Sequence, residues 1–326
     1  MPADPATRRT LLTAAVLLGL PTVARAEPPT QLTIGGGLPG DAYYILGGGI
    51  AAILNRDVPG MSARLGSTDG GVSNVRLLDT DRSGLGFCQA DTAVTAFEGS
   101  DRFNGRPVPV RALAVLYANR MQVVVNAGGS IQSFADLRGK RVSTGAPGSA
   151  TETMAFRLLA AAGVDRHTDL ATRERLNLLD SCESLRDNEL DAFFISTGAP
   201  NTNVRDLADT QGMKMALVDH AALAERVIAR YGSVYFADVI PAGTYPGQQA
   251  DNAQVSVANI LLVLGTMPNT QAAAILAALW KSRAELAQVC PEAQHFTLAA
   301  QKSAAAGIPW HPAAEAFWKT QGADLT

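Results

Sequence analysis

The chain has 326 residues, 30 acidic against 27 basic side chains, 47% hydrophobic and 17% charged residues. That length and apolar share allow one large or two medium globular domains and exclude a disordered chain or a disulfide-held miniprotein. A net charge of −3 offers no footprint for phosphate backbones, so nucleic acid is not an expected partner.

Residues 1–26 read as an export signal. Arg8 and Arg9 form a positive start, Leu11 to Leu20 is a short apolar run, and Ala24-Arg25-Ala26 is a small-x-small cleavage site. The apolar run is too short to span a bilayer. Thr7-Arg8-Arg9-Thr10-Leu11-Leu12 also resembles a twin-arginine signal, so Sec and Tat export both fit. Loss of Arg8, Arg9, Arg25 and Asp4 with the leader leaves 24 bases against 29 acids. No second long apolar segment follows, and the expected product is a soluble periplasmic monomer. Export permits disulfides. Cys88 lies in an apolar strand-like run and reads as buried, which leaves Cys182 and Cys290 as the pair to consider.

The mature chain then repeats strand, glycine-rich turn and helix. Leu32-Thr33-Ile34 leads through Gly35 to Gly40 into a helical stretch reaching Leu54. A strand at Met61 to Gly66 ends in Thr68-Asp69-Gly70-Gly71, and another at Gly84 to Cys88 ends in Gln89-Ala90-Asp91. Three such units in sixty residues imply an α/β sheet, whose ligands gather outside the carboxyl ends of the strands. Arg111 to Val125 is a long strand-like run that reads as a connector crossing between two lobes. Beyond it the pattern restarts: strand Arg141 to Thr144, helix Thr151 to Ala162, then strand Ala192 to Ser196 ending in Thr197-Gly198-Ala199-Pro200. Ser149 and Glu152 have capping-box spacing. Ile260 to Leu264 reads as a short strand, and from Asn269 onward alanine-rich helices are broken at Pro291, Pro309 and Pro312.

Motifs for catalysis are sparse. Gly35, Gly37 and Gly40 match G-x-G-x-x-G, yet no acid stands at the end of the next strand as a dinucleotide site needs. His167, His220, His295 and His311 stand apart from one another, and neither a metal nor a cofactor is implied. There is no G-x-S-x-G, P-loop, C-x-x-C or H-E-x-x-H. What the chain does offer is a set of glycine and hydroxyl loops, each opening a helix whose first N–H groups are free and whose dipole favours an anion. Together they describe a cleft for a small anionic solute.

Several segments resemble one family in order. They are Tyr43-Tyr44-Ile45-Leu46-Gly47-Gly48, Asn74-Val75-Arg76-Leu77-Leu78, Gln89-Ala90-Asp91 and Pro147-Gly148-Ser149-Ala150-Thr151-Glu152. Phe193 to Pro200, Gly243 to Gln248 and Pro309-Trp310-His311-Pro312 continue the series. The chain resembles the TAXI-type solute receptors of tripartite ATP-independent periplasmic (TRAP) transporters, from about Leu32 to Gly322. The resemblance implies an α/β class II periplasmic-binding-protein fold with two lobes joined by crossing strands. Residues 27–118 with 266–326 would form the first lobe and residues 119–265 the second. It further implies a non-enzymatic role: capture of a small carboxylate or amino acid, such as glutamate, glutamine or a 2-oxoglutarate-like acid, and delivery to TRAP permease subunits. Carried over by position, Tyr43, Asn74, Gln89, Ser149, Thr151 and Gly198 are ligand contacts, with Tyr44 and Pro200 as second choices. Two acids depart from the family pattern, Asp41 and Asp69, and are the expected specificity residues. A periplasmic sensory subunit and an α/β enzyme acting on an organic acid are the alternative roles.

Overall fold

A computed structural model describes residues 30–81 and 84–326; residues 1–26, read above as an export signal, lie outside the described residues. The first half of the chain alternates β1 (Thr30–Gly35), α1 (Ala42–Asp57), β2 (Met61–Gly66), α2 (Gly71–Asp81), β3 (Leu85–Gln89) and α3 (Ala90–Glu98). The long β4 (Val110–Asn126) follows, then β5 (Arg141–Ser143), α4 (Ala150–Ala161), β6 (Thr172–Glu174), α5 (Leu178–Arg186), β7 (Ala192–Thr197) and α6 (Thr202–Asp209). The chain continues through β8 (Met215–Leu217), α7 (Ala224–Tyr231), β9 (Tyr235–Ile240) and β10 (Asn252–Leu264). It ends in α8 (Asn269–Lys281), α9 (Arg283–Val289), α10 (Ser303–Ala306) and α11 (Pro312–Thr320).

The strands join in the order β2-β1-β3-β10-β4-β7-β5-β6, with β8 on β4 and β9 on β10. Strands β1, β2 and β3 are mutually parallel, as are β5, β6 and β7. Between the two triplets run β4 and β10, antiparallel to each other. Both are buried along almost their whole length. The apolar tail Ile260 to Leu264, which alone reads as a short strand, is the end of a 13-residue strand whose first eight residues include Asn252, Gln254, Ser256 and Asn259. Those polar residues disguise the strand in the sequence although each is buried.

The β4–β10 ladder slips register twice, between Asn259 and Ile260 and between Leu261 and Leu262. A bulge leaves backbone groups without a ladder partner, and here side chains from the C-terminal segment supply them. The indole of the buried Trp318 donates to the Leu113 carbonyl at 2.9 Å, and Gln301 bonds both the N–H and the C=O of Val115 at 2.9 and 2.8 Å. Helices α8 and α9 pack on α1, and Trp280, Phe296 and Trp318 meet edge to face, so the C-terminal helices return to the half that holds β1 to β3.

The thiols of Cys182 and Cys290 do not pair. Cys182 lies on α5 beside the Asn203 carbonyl and Cys290 beside Glu292, in opposite halves of the molecule. Burial pushes both thiols up to about 12.

His220 is a core histidine, 3% exposed, with Nδ1 3.0 Å from the Val218 carbonyl, Nε2 unpartnered and the ring 5.4 Å from that of Phe134. Desolvation pushes its pKa down to about 4, against smaller upward pulls from the Val218 carbonyl and Asp219. Unfolding restores an ordinary histidine near 6.5, which binds a proton the folded ring refuses. Its contribution is therefore intact above pH 6.5 and is lost as pH falls toward 4, by about 3 kcal/mol in all. Urea denaturation across that window should show a slope about one proton shallower in His220→Gln than in the wild type; equal slopes would contradict this assignment.

Candidate functional site

In each half, three parallel strands release the chain at their carboxyl ends into a helix N-terminus: β1, β2 and β3 into α1, α2 and α3, and β5, β6 and β7 into α4, α5 and α6. These six turns face one cleft of ≈ 1210 Å³ whose floor is formed in part by the crossing strand β4. On β10, Asn259 stands opposite Gln89 of β3 and Tyr117 of β4, which places the three side chains on one face. Tyr117 and Asn119, two residues apart on β4, both line the cleft.

Most of the residues singled out in the sequence meet there. Asp41, Tyr43, Asp69, Gln89, Ser149 and Thr151 line the cleft, as does Pro200. Tyr43 stacks on Phe87 at 5.2 Å between ring centroids and donates its hydroxyl to Asn259 Oδ1. Gln89 Nε2 donates to Ser196 Oγ at 2.8 Å. Asp41 and Asp69 are exposed, and the Asp41 carboxylate accepts the Leu38 N–H at 3.1 Å, closing its own loop.

Tyr44, Asn74 and Gly198 are not among the lining residues. Asn74 is fully buried under the β2–α2 turn, donating to the Phe87 carbonyl at 2.9 Å and accepting from Thr68 Oγ1 at 2.6 Å. It fixes the loop rather than reaching into the cleft. Gly198 is a close-approach glycine: a β-carbon there would lie 2.5 Å from the Glu292 side chain, which comes from the other half. Glycine and asparagine in a family motif are equally compatible with ligand contact and with backbone packing, and only the register of the neighbouring strands separates the two.

The turn before α4 is held from three sides. Ser149 Oγ accepts the Glu152 N–H at 3.1 Å, while Glu152 Oε2 accepts from Gly148 N at 2.8 Å, one residue earlier than a reciprocal capping box requires. Burial opposes the charge on Glu152, but Arg175 at 2.6 Å and the Gly148 N–H hold its carboxyl below the ordinary range. Thr151 Oγ1 accepts the Ser196 N–H at 3.1 Å, locking the helix to the end of β7. The N–H groups of Ala150 and Thr151 then have no protein partner among the described residues and open on the cleft.

Residues outside the sequence-based set tie the two halves together across this space. Asp91, at the start of α3, accepts from Arg157 of α4 at 2.7 Å and from the hydroxyl of Tyr235 at 2.6 Å. Both charged side chains are largely buried. Burial works against the charge on Arg157, yet Asp91 and Tyr235 raise its pKa above the ordinary range; burial and the Asp91 charge push the Tyr235 phenol up as well. Arg102, just after α3, donates to the Gly148 carbonyl and, at 3.2 Å, to Thr153 Oγ1. Arg157 lies on an otherwise ordinary helix face, and nothing local in the sequence pairs it with Asp91, 66 residues away.

The whole span 34–322 matches the family model described as the NMT1-like family. Two solved structures share the architecture. The periplasmic aliphatic sulphonate binding protein SsuA from Escherichia coli is 14% identical, over 82% of this chain and 80% of its own, with a TM-score of 0.50. A TctC solute binding protein from Polaromonas is also 14% identical, over 91% and 95% respectively, with a TM-score of 0.52. The α/β architecture is thus that of the periplasmic binding proteins.

Two substitutions test the geometry. Asp91→Asn leaves Arg157 buried without a counter-charge and should cost about 3 kcal/mol of unfolding free energy, measured by urea titration; under about 1 kcal/mol would mean that solvent screens the pair. Ser149→Ala removes a cap and a cleft hydroxyl together. It should lower stability by about 1 kcal/mol and weaken ligand binding; a loss of stability with unchanged affinity would make Ser149 a cap alone.

Proposed function

The chain belongs to the NMT1-like family, and on that premise we propose that it is a periplasmic solute-binding protein that captures a small carboxylate-bearing solute. The observation that carries this reading is the convergence of six strand-to-helix turns on one cleft, with free N–H groups at the start of α4 and a buried polar floor. Such a wall binds a carboxylate through backbone donors and helix dipoles without dedicating a lysine to it.

In this reading residues 1–26 direct export, and residues 27–118 with 266–326 move as one lobe against residues 119–265. The ordered motifs favour the TAXI type, with TRAP permease subunits as the recipient of the bound solute and the monomer as the working form. The acids that differ from the family pattern favour an amino acid over a plain dicarboxylate. Asp41 and Asp69 stand on the cleft lining near the starts of α1 and α2, where a ligand ammonium would offset them.

Native mass spectrometry of freshly purified protein, with thermal-shift screening of carboxylates and amino acids, tests the capture reading. A ligand at one hundred times its Kd stabilises by about 2.7 kcal/mol, a readily measured shift in Tm. No bound species and no shift across the screen would contradict it. Calorimetry of Asp69→Gly then tests the ammonium: the preference for an amino acid over its keto acid should fall by about 1 to 3 kcal/mol, and an unchanged ratio would mean that Asp69 faces solvent.

A further inference from the structure

The cleft is divided by polarity. Five large hydrophobic side chains are exposed among the described residues, and three of them, Leu38 at 53%, Ile45 at 40% and Leu179 at 56%, line this cavity. Single exposed leucines are ordinary on any surface, but three that converge on one concavity from both halves are not. Leu38 lies in the β1–α1 turn and Ile45 on α1, whereas Leu179 belongs to the first turn of α5 in the opposite half. Val72 and Leu178 add to the same apolar lining.

The floor is the reverse. Gln89 is 2% exposed and Asn259 fully buried, and they stand opposite each other on adjacent strands. Gln89 uses its amide nitrogen on Ser196, and Asn259 uses its carbonyl oxygen on Tyr43. Gln89 Oε1 and Asn259 Nδ2 are left without a partner. A buried polar atom is rarely left unpaired, and Gln89 lines the cleft near the start of α4, so a hydrogen-bond donor of the ligand is the natural partner of Gln89 Oε1. The cavity, at ≈ 1210 Å³, also exceeds the roughly 300–1,000 Å³ common for small-molecule sites and has room beyond a compact diacid.

Resting on the solute-capture reading, we propose that the solute is an amphipathic acid. Its carboxylate meets the N-terminus of α4, a donor beside the carboxylate such as a 2-ammonium group meets Gln89 Oε1, and its hydrocarbon chain lies between Leu38 and Ile45 on one half and Leu179 on the other. Glutamate and 2-oxoglutarate, polar at both ends, would set a second charge against these apolar side chains and lose its hydration in doing so.

The test is calorimetry of the full exported protein against straight-chain carboxylates from acetate to octanoate, the matching 2-amino acids, and glutamate and 2-oxoglutarate. The two series distinguish a plain acid head from a zwitterionic one. In the series that binds, affinity should rise about fourfold for each added methylene, the value expected for a buried CH₂. Leu38→Ser combined with Leu179→Ser should flatten that rise. Both side chains are exposed, so the melting temperature of the unliganded double variant should match the wild type and serve as the folding control. Tight binding of glutamate or 2-oxoglutarate with a flat homologous series would overturn the amphipathic assignment and leave solute capture standing. A rise that persists in the double variant would overturn it too. Binding of none of these acids would overturn the capture reading itself.

Discussion

One buried carboxylate, Asp91, organises the relation between the two halves of this molecule. Asp91 and Arg157 are both taken out of water, so each depends on the other, and they come from helices on either side of the sheet's centre, α3 packing on β3 and β10 and α4 on β7. Tyr235 gives the carboxylate a second donor, and the faces of Tyr231 and Tyr235 lie 5.0 and 5.6 Å from the Arg157 guanidinium carbon. Separation of the halves would expose or orphan both charges, a cost far above that of a surface ion pair. Gln89–Ser196 and Arg102–Gly148 cross between the same halves. The cleft geometry, the reach of the α4 N-terminus toward the floor and the approach of Glu292 to Gly198 all presuppose this juxtaposition.

The ion pair also decides which charges are left for a ligand. With Arg157 committed to Asp91, the arginines of the cleft without a carboxylate partner among the described residues are Arg76 and Arg102, and these donate to the Arg102 and Gly148 carbonyls. Recognition of an anion then falls to backbone N–H groups and helix dipoles, which are fixed in place and need no side-chain ordering.

Much of the architecture is legible in the sequence because glycine-rich turns punctuate apolar runs of strand length: β2 at 61–66 and the long connector that became β4 are plain in the pattern. The crossing strand β10 is half hidden, since Asn252, Gln254, Ser256 and Asn259 look like solvent-facing residues and are instead buried polar groups of a two-sided strand. For the site, loops that open helices identify the wall, because the residues that end a strand and begin a helix are contiguous. The floor and the Asp91–Arg157–Tyr235 contact are not legible, because their members are brought together by register and by the crossing strands. Asn74 and Gly198 show the complement: both belong to the loops, yet Asn74 sits under the loop it holds and Gly198 leaves space for Glu292.

The most direct measurement of this account is the distance between spin labels at Arg64 on β2 and Thr172 on β6, both exposed and at opposite ends of the sheet. Pulsed dipolar spectroscopy of the labelled protein should give a narrow distribution once a binding acid is present, and a broader one reaching longer distances when Asp91→Asn is added without ligand. A distribution that neither the acid nor the substitution alters would contradict the claim that this buried ion pair governs how the halves meet around the cleft.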